Sequence, residues 1–393
     1  MRSDGWLRRL GPWAGIGTSP AALMLGGGIA EGVEGGALLA AVLLGAVLLG
    51  ALAAVQGILG QRSGRTLLQL TAGALGRAGS RATASPAMLA MMLGWFALNV
   101  SAAGEALAHL VSVPDRAGMA LFAALMLAVS WRGIDVLSWS ALAAGVATAL
   151  LAAYGVAEVL AQRDLSLTGS GGAAEPAGIL QGIALVVGYG AAFSLRTPDF
   201  TRDLARPRQV VWCSLVGMVL PVAVFALVGA MLLVSTGTWN LAEVLQALGS
   251  PTAAYLFVAV GFTGSVLTNL YSGSLSLADA LPRVPHHAAL AAVAVAGTAL
   301  AALRFSQWMV PYLSVMALSA PALVGVCVVD AALGGSPRPG WHAPGLLAWA
   351  AGCGIGVGLY AAGSSLALPV SLAVAPLVYA ILTPVRREAA ERA

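Results

Sequence analysis

Trp95 and Asn99 stand four residues apart in an otherwise apolar stretch, MLAMMLGWFALNVSAAGEALAHL. Residues at this spacing share one face of a helix. A flat aromatic ring and an amide that both donates and accepts hydrogen bonds suit a planar nitrogen heterocycle, because the rings stack and the amide matches the ligand's polar edge. The alternative is an aromatic packing residue beside an amide that bonds a neighbouring helix. The sequence leaves both interpretations open.

A second polar group lies in the stretch GFTGSVLTNLYSGSLSLADAL, where Ser265, Thr268 and Asn269 interrupt an apolar run. Hydroxyl oxygens beside free backbone carbonyls could coordinate a small hard cation, since such ions prefer oxygen ligands. The same hydroxyls could instead bond back to carbonyls of their own helix. This stretch is therefore a candidate for ligand or ion binding.

The stretch from Val186 to Arg208, VVGYGAAFSLRTPDFTRDLARPR, combines glycines with a charge. Gly188 and Gly190 predict a helix that loosens there, and Arg196 follows close to the hydrocarbon. A charge in that place is costly unless it finds a partner. Broken helices with polar inserts form the binding sites of many membrane transporters.

The first apolar stretch, WAGIGTSPAALMLGGGIAEG, holds Pro20 and three consecutive glycines. Proline lacks a backbone donor and glycine has little helix propensity, so we predict a break within the membrane. The free carbonyls of such a break are tolerated only when they are buried in protein or line a cavity. The alternative is a glycine-lined packing face.

The composition predicts a protein that crosses the membrane many times. Hydrophobic residues make up 59% of the chain and charged residues 9%, with a mean hydropathy of +0.88. Soluble domains carry roughly 25% charged residues. One membrane helix needs about 20 apolar residues. Twelve such runs occur, at about residues 13–33, 37–59, 85–110, 117–131, 137–160, 178–198, 209–235, 251–277, 287–304, 308–331, 344–362 and 366–383.

The arginines predict the orientation. Most of them fall before the first span and in the even-numbered loops, so we expect both termini of this multi-pass inner-membrane protein in the cytoplasm. The basic charge therefore indicates membrane orientation, and no nucleic-acid partner is expected. The basic N-terminus runs into an apolar stretch too long for a signal peptide, and it is interpreted as the first retained helix. The loop after the second span predicts a short interfacial helix.

The polar loop 161–177 separates five spans from the next five. An odd number of spans in each half places the halves in opposite orientations, as in many secondary transporters. The sequence predicts that the chain divides into a cytoplasmic N-terminus 1–12, a first five-helix repeat 13–160, an extracytoplasmic loop 161–177, a second five-helix repeat 178–331, two more membrane helices 332–385 and a cytoplasmic tail 386–393.

Motifs of enzymes are missing from the sequence, which has no GxSxG, no P-loop and no HExxH. The protein is therefore not expected to be an enzyme or an ATP-driven pump. The three cysteines, Cys213, Cys327 and Cys353, lie in apolar spans and are expected to be packing residues. No cofactor, no metal beyond a coupling ion and no obligate protein partner are predicted; the expected partners are a small heterocycle and the lipid bilayer.

Four stretches carry a resemblance to a known family: GGGIAEG, GQRSGRTLLQL followed by GALGRAGS, LGWFALN, and GYGAAFSLRTPDFTRDLARPR. Over residues 13–385 the chain resembles the nucleobase:cation symporters of the purine–cytosine permease type. The resemblance implies an all-α membrane protein with the leucine-transporter-type fold, made of two inverted five-helix repeats and two C-terminal helices. It also implies a pocket between spans 1, 3, 6 and 8.

The resemblance assigns individual residues to that pocket. It implies substrate-binding positions at Trp95, Asn99, Tyr189, Gly190, Thr268 and Asn269. It implies a sodium site formed by Leu23, Gly26 and Ser265. Glu31 and Glu105 are carboxylates that could carry protons instead.

The expected function is the import of a nucleobase or a similar planar nitrogen heterocycle by symport with sodium or protons. One alternative is the import of a hydantoin-like compound or a vitamin precursor. Another is a membrane sensor or assembly factor that keeps the fold without transport, suggested by departures from the family's pattern in spans 6 and 8. There the pocket serine is missing and the paired threonines are replaced by Gly264 and Ser265.

Overall fold

The computed structural model of the protein describes residues 5–167 and 176–383, and this part of the chain is built from helices. The predicted tail 386–393 and residues 168–175 of the predicted loop lie outside the described residues. The helices, in chain order, are α1 (Leu7–Gly17), α2 (Ala21–Ala30), α3 (Gly35–Ser63), α4 (Leu67–Ala74), α5 (Arg77–Gly79), α6 (Ser85–Val111), α7 (Asp115–Ser130), α8 (Ile134–Leu160), α9 (Pro176–Thr201), α10 (Pro207–Ser214), α11 (Leu220–Thr236), α12 (Leu241–Ala247), α13 (Pro251–Gly261), α14 (Thr263–Ala280), α15 (His286–Ala302), α16 (Met309–Ala332), α17 (Ala343–Ala361) and α18 (Ala367–Leu382). Single π-helical turns at Ser80–Ala84 and Leu215–Val219 connect α5 with α6 and α10 with α11.

Every one of the twelve predicted spans falls on these helices, which confirms an all-helical membrane protein. Within the described residues, eight helical stretches are long and apolar enough to cross a membrane, and three shorter apolar helices are α2, α15 and α18. The eight are Gly35–Ser63, Arg77–Val111, Ile134–Leu160, Gly178–Thr201, Pro207–Thr236, Pro251–Ala280, Pro311–Ala332 and Ala343–Ala361. The number twelve stays a prediction.

The helices pack in pairs that join the two predicted halves. Helix α2 packs on α11, α3 on α9, and α6 on α14. In terms of spans, the first meets the seventh, the second meets the sixth and the third meets the eighth. Two inverted five-helix halves would produce this pattern, because the pseudo-two-fold axis exchanges the first two pairs and maps the third onto itself.

The predicted break in the first span lies between α1 and α2. Helix α1 ends at Gly17, and Pro20 caps α2. The hydroxyl of Thr18 donates to the Ala14 carbonyl over 2.8 Å. The run from Gly26 to Gly28 is helical and does not belong to the break. Gly26 lies against the backbone of Ala226 in α11, so here the glycine allows close helix packing.

The predicted loosening of the sixth span is wrong, because α9 continues unbroken from Pro176 to Thr201. Its glycines serve close packing. A Cβ at Gly190 would lie 2.6 Å from Leu49 Cδ2 of α3, and one at Gly188 would lie 3.0 Å from the Cβ of Ala317 in α16. The missing side chains therefore let two neighbouring helices approach α9 while its backbone hydrogen bonds stay intact.

The predicted short helix after the second span is α4. It begins with a capping box, in which Thr66 and Gln69 each bond the other's backbone N–H. The helix is buried against the protein, since Leu67 and Thr71 are almost fully covered. The Leu67 N–H donates to Asp199 Oδ1 of α9 over 2.9 Å, which ties this loop to the end of the sixth span.

Candidate functional site

Four helical segments meet around a central cavity at the break in the first span. The residues that line it are Ile16, Ser19, Met92, Trp95, Asn99, Tyr189, Ala192, Phe193, Ser265 and Asn269. The cavity is nearly closed, with about 10 Å³ within reach of the centre of a water molecule. That space holds about one water molecule. A ligand the size of a heterocycle would have to separate the lining side chains.

Trp95 is held by two other aromatic rings. Its ring centroid lies 5.6 Å from that of Tyr189 at an interplanar angle of 90°, and 6.0 Å from that of Tyr312 at 77°. Edge-to-face contacts of this kind stabilise a ring in one orientation. The hydroxyl of Tyr312 donates to the Met91 carbonyl one turn before Trp95. The indole is therefore fixed before any ligand arrives.

Asn99 and Ser265 form a hydrogen-bonded chain across the cavity. The Nδ2 of Asn99 donates to Ser265 Oγ over 3.0 Å, and that hydroxyl donates to the Phe262 carbonyl over 3.0 Å. Among the described residues, no group donates to Asn99 Oδ1. A hydrogen-bond acceptor is therefore left beside the cavity for a ligand N–H.

Tyr189 links the sixth span to the broken end of the first. Its hydroxyl donates to the carbonyl of Ile16 over 2.5 Å. The last carbonyls of a helix lack partners within the helix, and Tyr189 satisfies one of them. One turn further along α9, Phe193 packs edge-on against Trp13 of α1, with centroids 5.3 Å apart.

Asn269 and Arg196 lie together at the end of the cavity toward α9. Both are almost fully buried, Arg196 being 1% exposed. Arg196 Nη1 donates to the Thr268 carbonyl over 3.1 Å and Nη2 to Asn269 Oδ1 over 3.4 Å. The sequence places Arg196 close to hydrocarbon and in need of a partner, and the structure supplies these two oxygens.

The structure brings together five of the residues proposed from the sequence, namely Trp95, Asn99, Tyr189, Ser265 and Asn269. Two others do not line the cavity. Gly190 packs on Leu49 of α3, and the hydroxyl of Thr268 donates to the Gly264 carbonyl over 2.8 Å. Those positions remain predictions as binding residues.

The three residues proposed for sodium are separated. Leu23 and Gly26 lie inside α2 against Gly229 and Ala226 of α11, whereas Ser265 lines the cavity on α14. The part of the first span that touches α14 is the end of α1. A Cβ on Gly15 would lie 2.6 Å from the Cα of Gly264, so the two backbones are in direct contact.

The carboxylates considered as proton carriers lie away from the cavity. Glu31 and Glu105 are both exposed at the protein surface, and Glu105 accepts a hydrogen bond from Ser101 over 3.0 Å. Among the described residues, no cluster of three or more histidine, cysteine or acidic side chains is arranged to hold a metal ion. A coupling ion would therefore rely on neutral oxygens or on another carboxylate.

Five of the residues that line the cavity have no binding role predicted from the sequence, and two of them, Ser19 and Phe193, offer a hydroxyl group and an aromatic ring. Ser19 lies in the break of the first span, and the Thr-Ser-Pro sequence predicts that break. The sequence does not indicate which side chain at the break faces the cavity. Phe193 follows Tyr189 by four residues on the same face of α9. The spacing indicates that Phe193 faces the cavity only when the helix is continuous, as α9 is.

A second cavity, of about 620 Å³, lies on the side predicted to be cytoplasmic. It is lined mainly by polar residues of α4, the loop before α6 and the end of α14, among them Arg65, Arg81, Asp199 and Asp279. Asp199 stands three residues after Arg196 on α9. The short stretch of α9 between Phe193 and Asp199 therefore runs from the central cavity to the second one.

The sequence matches one protein-family model over residues 2–335, that of the permeases for cytosine/purines, uracil, thiamine and allantoin. No curated protein matches the chain in sequence.

Solved structures share the fold. The nucleobase-cation-symport-1 family transporter Mhp1, in a closed conformation with bromovinylhydantoin bound, superposes with a TM-score of 0.83 at 17% identity, covering 96% of this chain and 91% of its own. Its inward-facing conformation gives a TM-score of 0.78 at 18% identity, covering 96% and 90%. A Na⁺-coupled sialic acid symporter in an outward-open state gives 0.64 at 12% identity, covering 97% and 89%.

Proposed function

Because the chain belongs to the family of permeases for cytosine/purines, uracil, thiamine and allantoin, we propose that it imports a nucleobase or a similar planar nitrogen heterocycle by cation symport. The observation that carries this proposal is the pairing of Trp95 with Asn99 on the cavity face of α6. The indole offers a flat surface and Asn99 Oδ1 an acceptor for a ring N–H. The protein would lie in the inner membrane with both termini in the cytoplasm.

Alternating access is the proposed mechanism. The central cavity is nearly closed, while the second cavity is wide and polar. Opening the path between them would release a ligand toward the side predicted to be cytoplasmic. The broken first span and the contact of Gly15 with Gly264 give α1 a place to separate from α14. A rigid-body movement of one group of helices against the other would expose the cavity to each side in turn.

Sodium is the proposed coupling ion. Ser265 supplies one neutral oxygen, and backbone carbonyls of the broken first span supply others, which suit a monovalent ion that must also leave. Leu23 and Gly26 face α11 in this conformation, so the carbonyls at the end of α1 are better placed to act with Ser265. The Na⁺ coupling named for the sialic acid symporter of the same fold supports this choice.

A hydantoin is the second candidate substrate class. Its ring is planar and carries N–H and C=O groups, so it would use the same tryptophan face and the same amide. The bromovinylhydantoin bound to Mhp1, whose fold this chain shares, favours including it. Vitamin precursors with an aromatic heterocycle are further candidates, because their rings are also flat and carry hydrogen-bonding groups.

The test is ligand binding to purified protein, with cytosine, uracil, a 5-substituted hydantoin and a thiamine precursor, in sodium or in choline at fixed ionic strength and several pH values. If sodium and ligand bind cooperatively, linkage requires that ligand affinity rise with sodium concentration. Affinity that follows pH and ignores sodium would move coupling to a proton. Binding of none of these compounds would favour the sensor or assembly role.

A further inference from the structure

Arg196 is a buried cation whose charge is not balanced by an acid. It is 1% exposed and donates to two oxygens, the Thr268 carbonyl and Asn269 Oδ1. Both of these oxygens are uncharged. Among the described residues, no carboxylate oxygen lies within 4.0 Å of its guanidinium. The guanidinium keeps its proton in proteins, and an unpaired charge in this position is strongly unfavourable.

The nearest acidic residue along α9 is already engaged. Asp199 accepts the backbone N–H of Leu67 through Oδ1 over 2.9 Å. It also lines the second cavity, away from the central one. Asp199 therefore moderates the field around Arg196 without forming an ion pair with it.

Hydrogen-bond donors are in excess around Arg196. Its Nε has no partner among the described residues, and neither has Asn269 Nδ2. Unsatisfied buried donors are uncommon in native proteins. Two donors and one positive charge left in one place form a site that is complementary to an anion.

This site adjoins the central cavity. Asn269, which receives the bond from Nη2, lines that cavity, and so does Phe193, whose ring centroid lies 6.0 Å from the Arg196 Cζ. The guanidinium thus lies directly behind two lining residues. A ligand that displaces Nη2 from Asn269 Oδ1 would meet the charge itself.

We propose that the transported heterocycle carries a negative charge, such as a ring carboxylate, that pairs with Arg196 and with Asn269 Nδ2. The inference rests on the proposed function, since it names the charge of the ligand in the same cavity. The planar fork of a guanidinium matches the two oxygens of a carboxylate. Trp95 and Asn99 would hold the ring while Arg196 holds the charged substituent.

Two pairs of probes test this, each pair differing mainly in a carboxylate: orotate with uracil, and nicotinate with nicotinamide. Binding is measured by calorimetry on the purified full chain. We expect at least one anionic member to bind at least tenfold more tightly than its neutral counterpart. Equal affinity within both pairs, or a preference for the neutral members, would overturn the inference without any variant.

Arg196→Met and Arg196→Lys then locate the effect. The methionine variant should lose at least tenfold in affinity for the anion and change by less than threefold for the neutral member, while the lysine variant keeps part of the preference. Arg202→Met, at an exposed arginine directly after the end of α9, should bind both as the unaltered protein does. Equal losses for both members in Arg196→Met would mean that Arg196 only positions Asn269, and would overturn the inference.

The two proposals fail differently. If neutral heterocycles bind and the carboxylates do not, the charge inference alone is wrong. If no heterocycle of either kind binds, the proposed function fails with it. If Arg196→Met cannot be purified, the comparison within each pair on the unaltered protein and on Arg196→Lys still decides.

Discussion

The amide of Asn99 on α6 donates a hydrogen bond to Ser265 Oγ on α14 over 3.0 Å, across the central cavity. This bond joins a helix of the first predicted half to one of the second. It also sets the amide so that Asn99 Oδ1 is left for a ligand. One side chain therefore joins two helices and, in the proposed function, also recognises the ligand.

Asn99→Leu should weaken the binding of ligands with several ring donors and acceptors more than that of less polar ones. A buried polar group left unpaired costs about 1–3 kcal/mol, so a loss of roughly five- to hundredfold is expected for the polar ligands. Titration of a graded ligand series measures it. Ser265→Ala removes the partner of the Asn99 amide together with the hydroxyl proposed for sodium, so it is compared in choline, where sodium contributes nothing. Equal losses across the series would reduce Asn99 to a link between helices.

Trp95→Ala should weaken ligand binding at least tenfold while the protein still inserts and purifies. Aromatic stacking contributes ~0.5–1.5 kcal/mol beyond the buried area, and the lost area adds to that. The matched control is Trp139→Ala, because Trp139 is 53% exposed on α8 and is not among the residues that line the cavity. An unchanged dissociation constant for Trp95→Ala would place the binding site elsewhere.

Gly15→Ala should disturb the contact between α1 and α14. The added Cβ would lie 2.6 Å from Gly264 Cα, and because that atom is backbone, one helix must shift. We expect the closed conformation to become less populated and transport to fall several-fold. Cysteine crosslinking or fluorescence between the two helices would report the shift. Gly354→Ala, where an added Cβ meets nothing within 4 Å, should behave as the unaltered protein. An unchanged crosslinking or fluorescence signal in Gly15→Ala would contradict the packing of α1 on α14.

Tyr379→Phe should lower the thermal stability of the protein without affecting ligand recognition. The Tyr379 hydroxyl donates to Asp330 Oδ1 over 2.7 Å, and Arg338 Nη1 donates to the same oxygen over 2.9 Å. Hydrogen bonds to charged groups contribute about 1.5–3 kcal/mol. The unfolding midpoint in detergent measures the loss, and Tyr360→Phe, at an exposed tyrosine, is the control. An unchanged midpoint would mean that Arg338 alone holds the carboxylate.

The sequence predicts the long helices and two cavity residues for simple reasons. Apolar runs of about 20 residues leave few alternatives to a membrane helix. Trp95 and Asn99 each carry a hydrogen-bonding group and stand four residues apart inside such a run, so the spacing predicts that they share one face of the helix. Pro20 predicts the break because it removes a backbone donor whatever surrounds it.

Contacts between distant helices account for what the sequence misses. A glycine can loosen a helix or allow a neighbouring helix to approach closely. Gly190 and Gly188 allow close approach, because Leu49 of α3 and Ala317 of α16 pack against them. The burial of Arg196 depends on α14, whose carbonyl and amide receive its hydrogen bonds. No local pattern contains that information, because these residues are more than 70 positions apart.

Uptake of a labelled heterocycle into proteoliposomes, driven by an inward sodium gradient, tests the central proposal of cation-coupled import most directly. The substrate is one that binds in the panel above, with Trp95→Ala and Trp139→Ala reconstituted in parallel. We predict that the substrate accumulates above its equilibrium level and that this accumulation collapses when the gradient is removed. The accumulation should be lost in Trp95→Ala and should persist in Trp139→Ala. Tight binding with no accumulation under either a sodium or a proton gradient would contradict it.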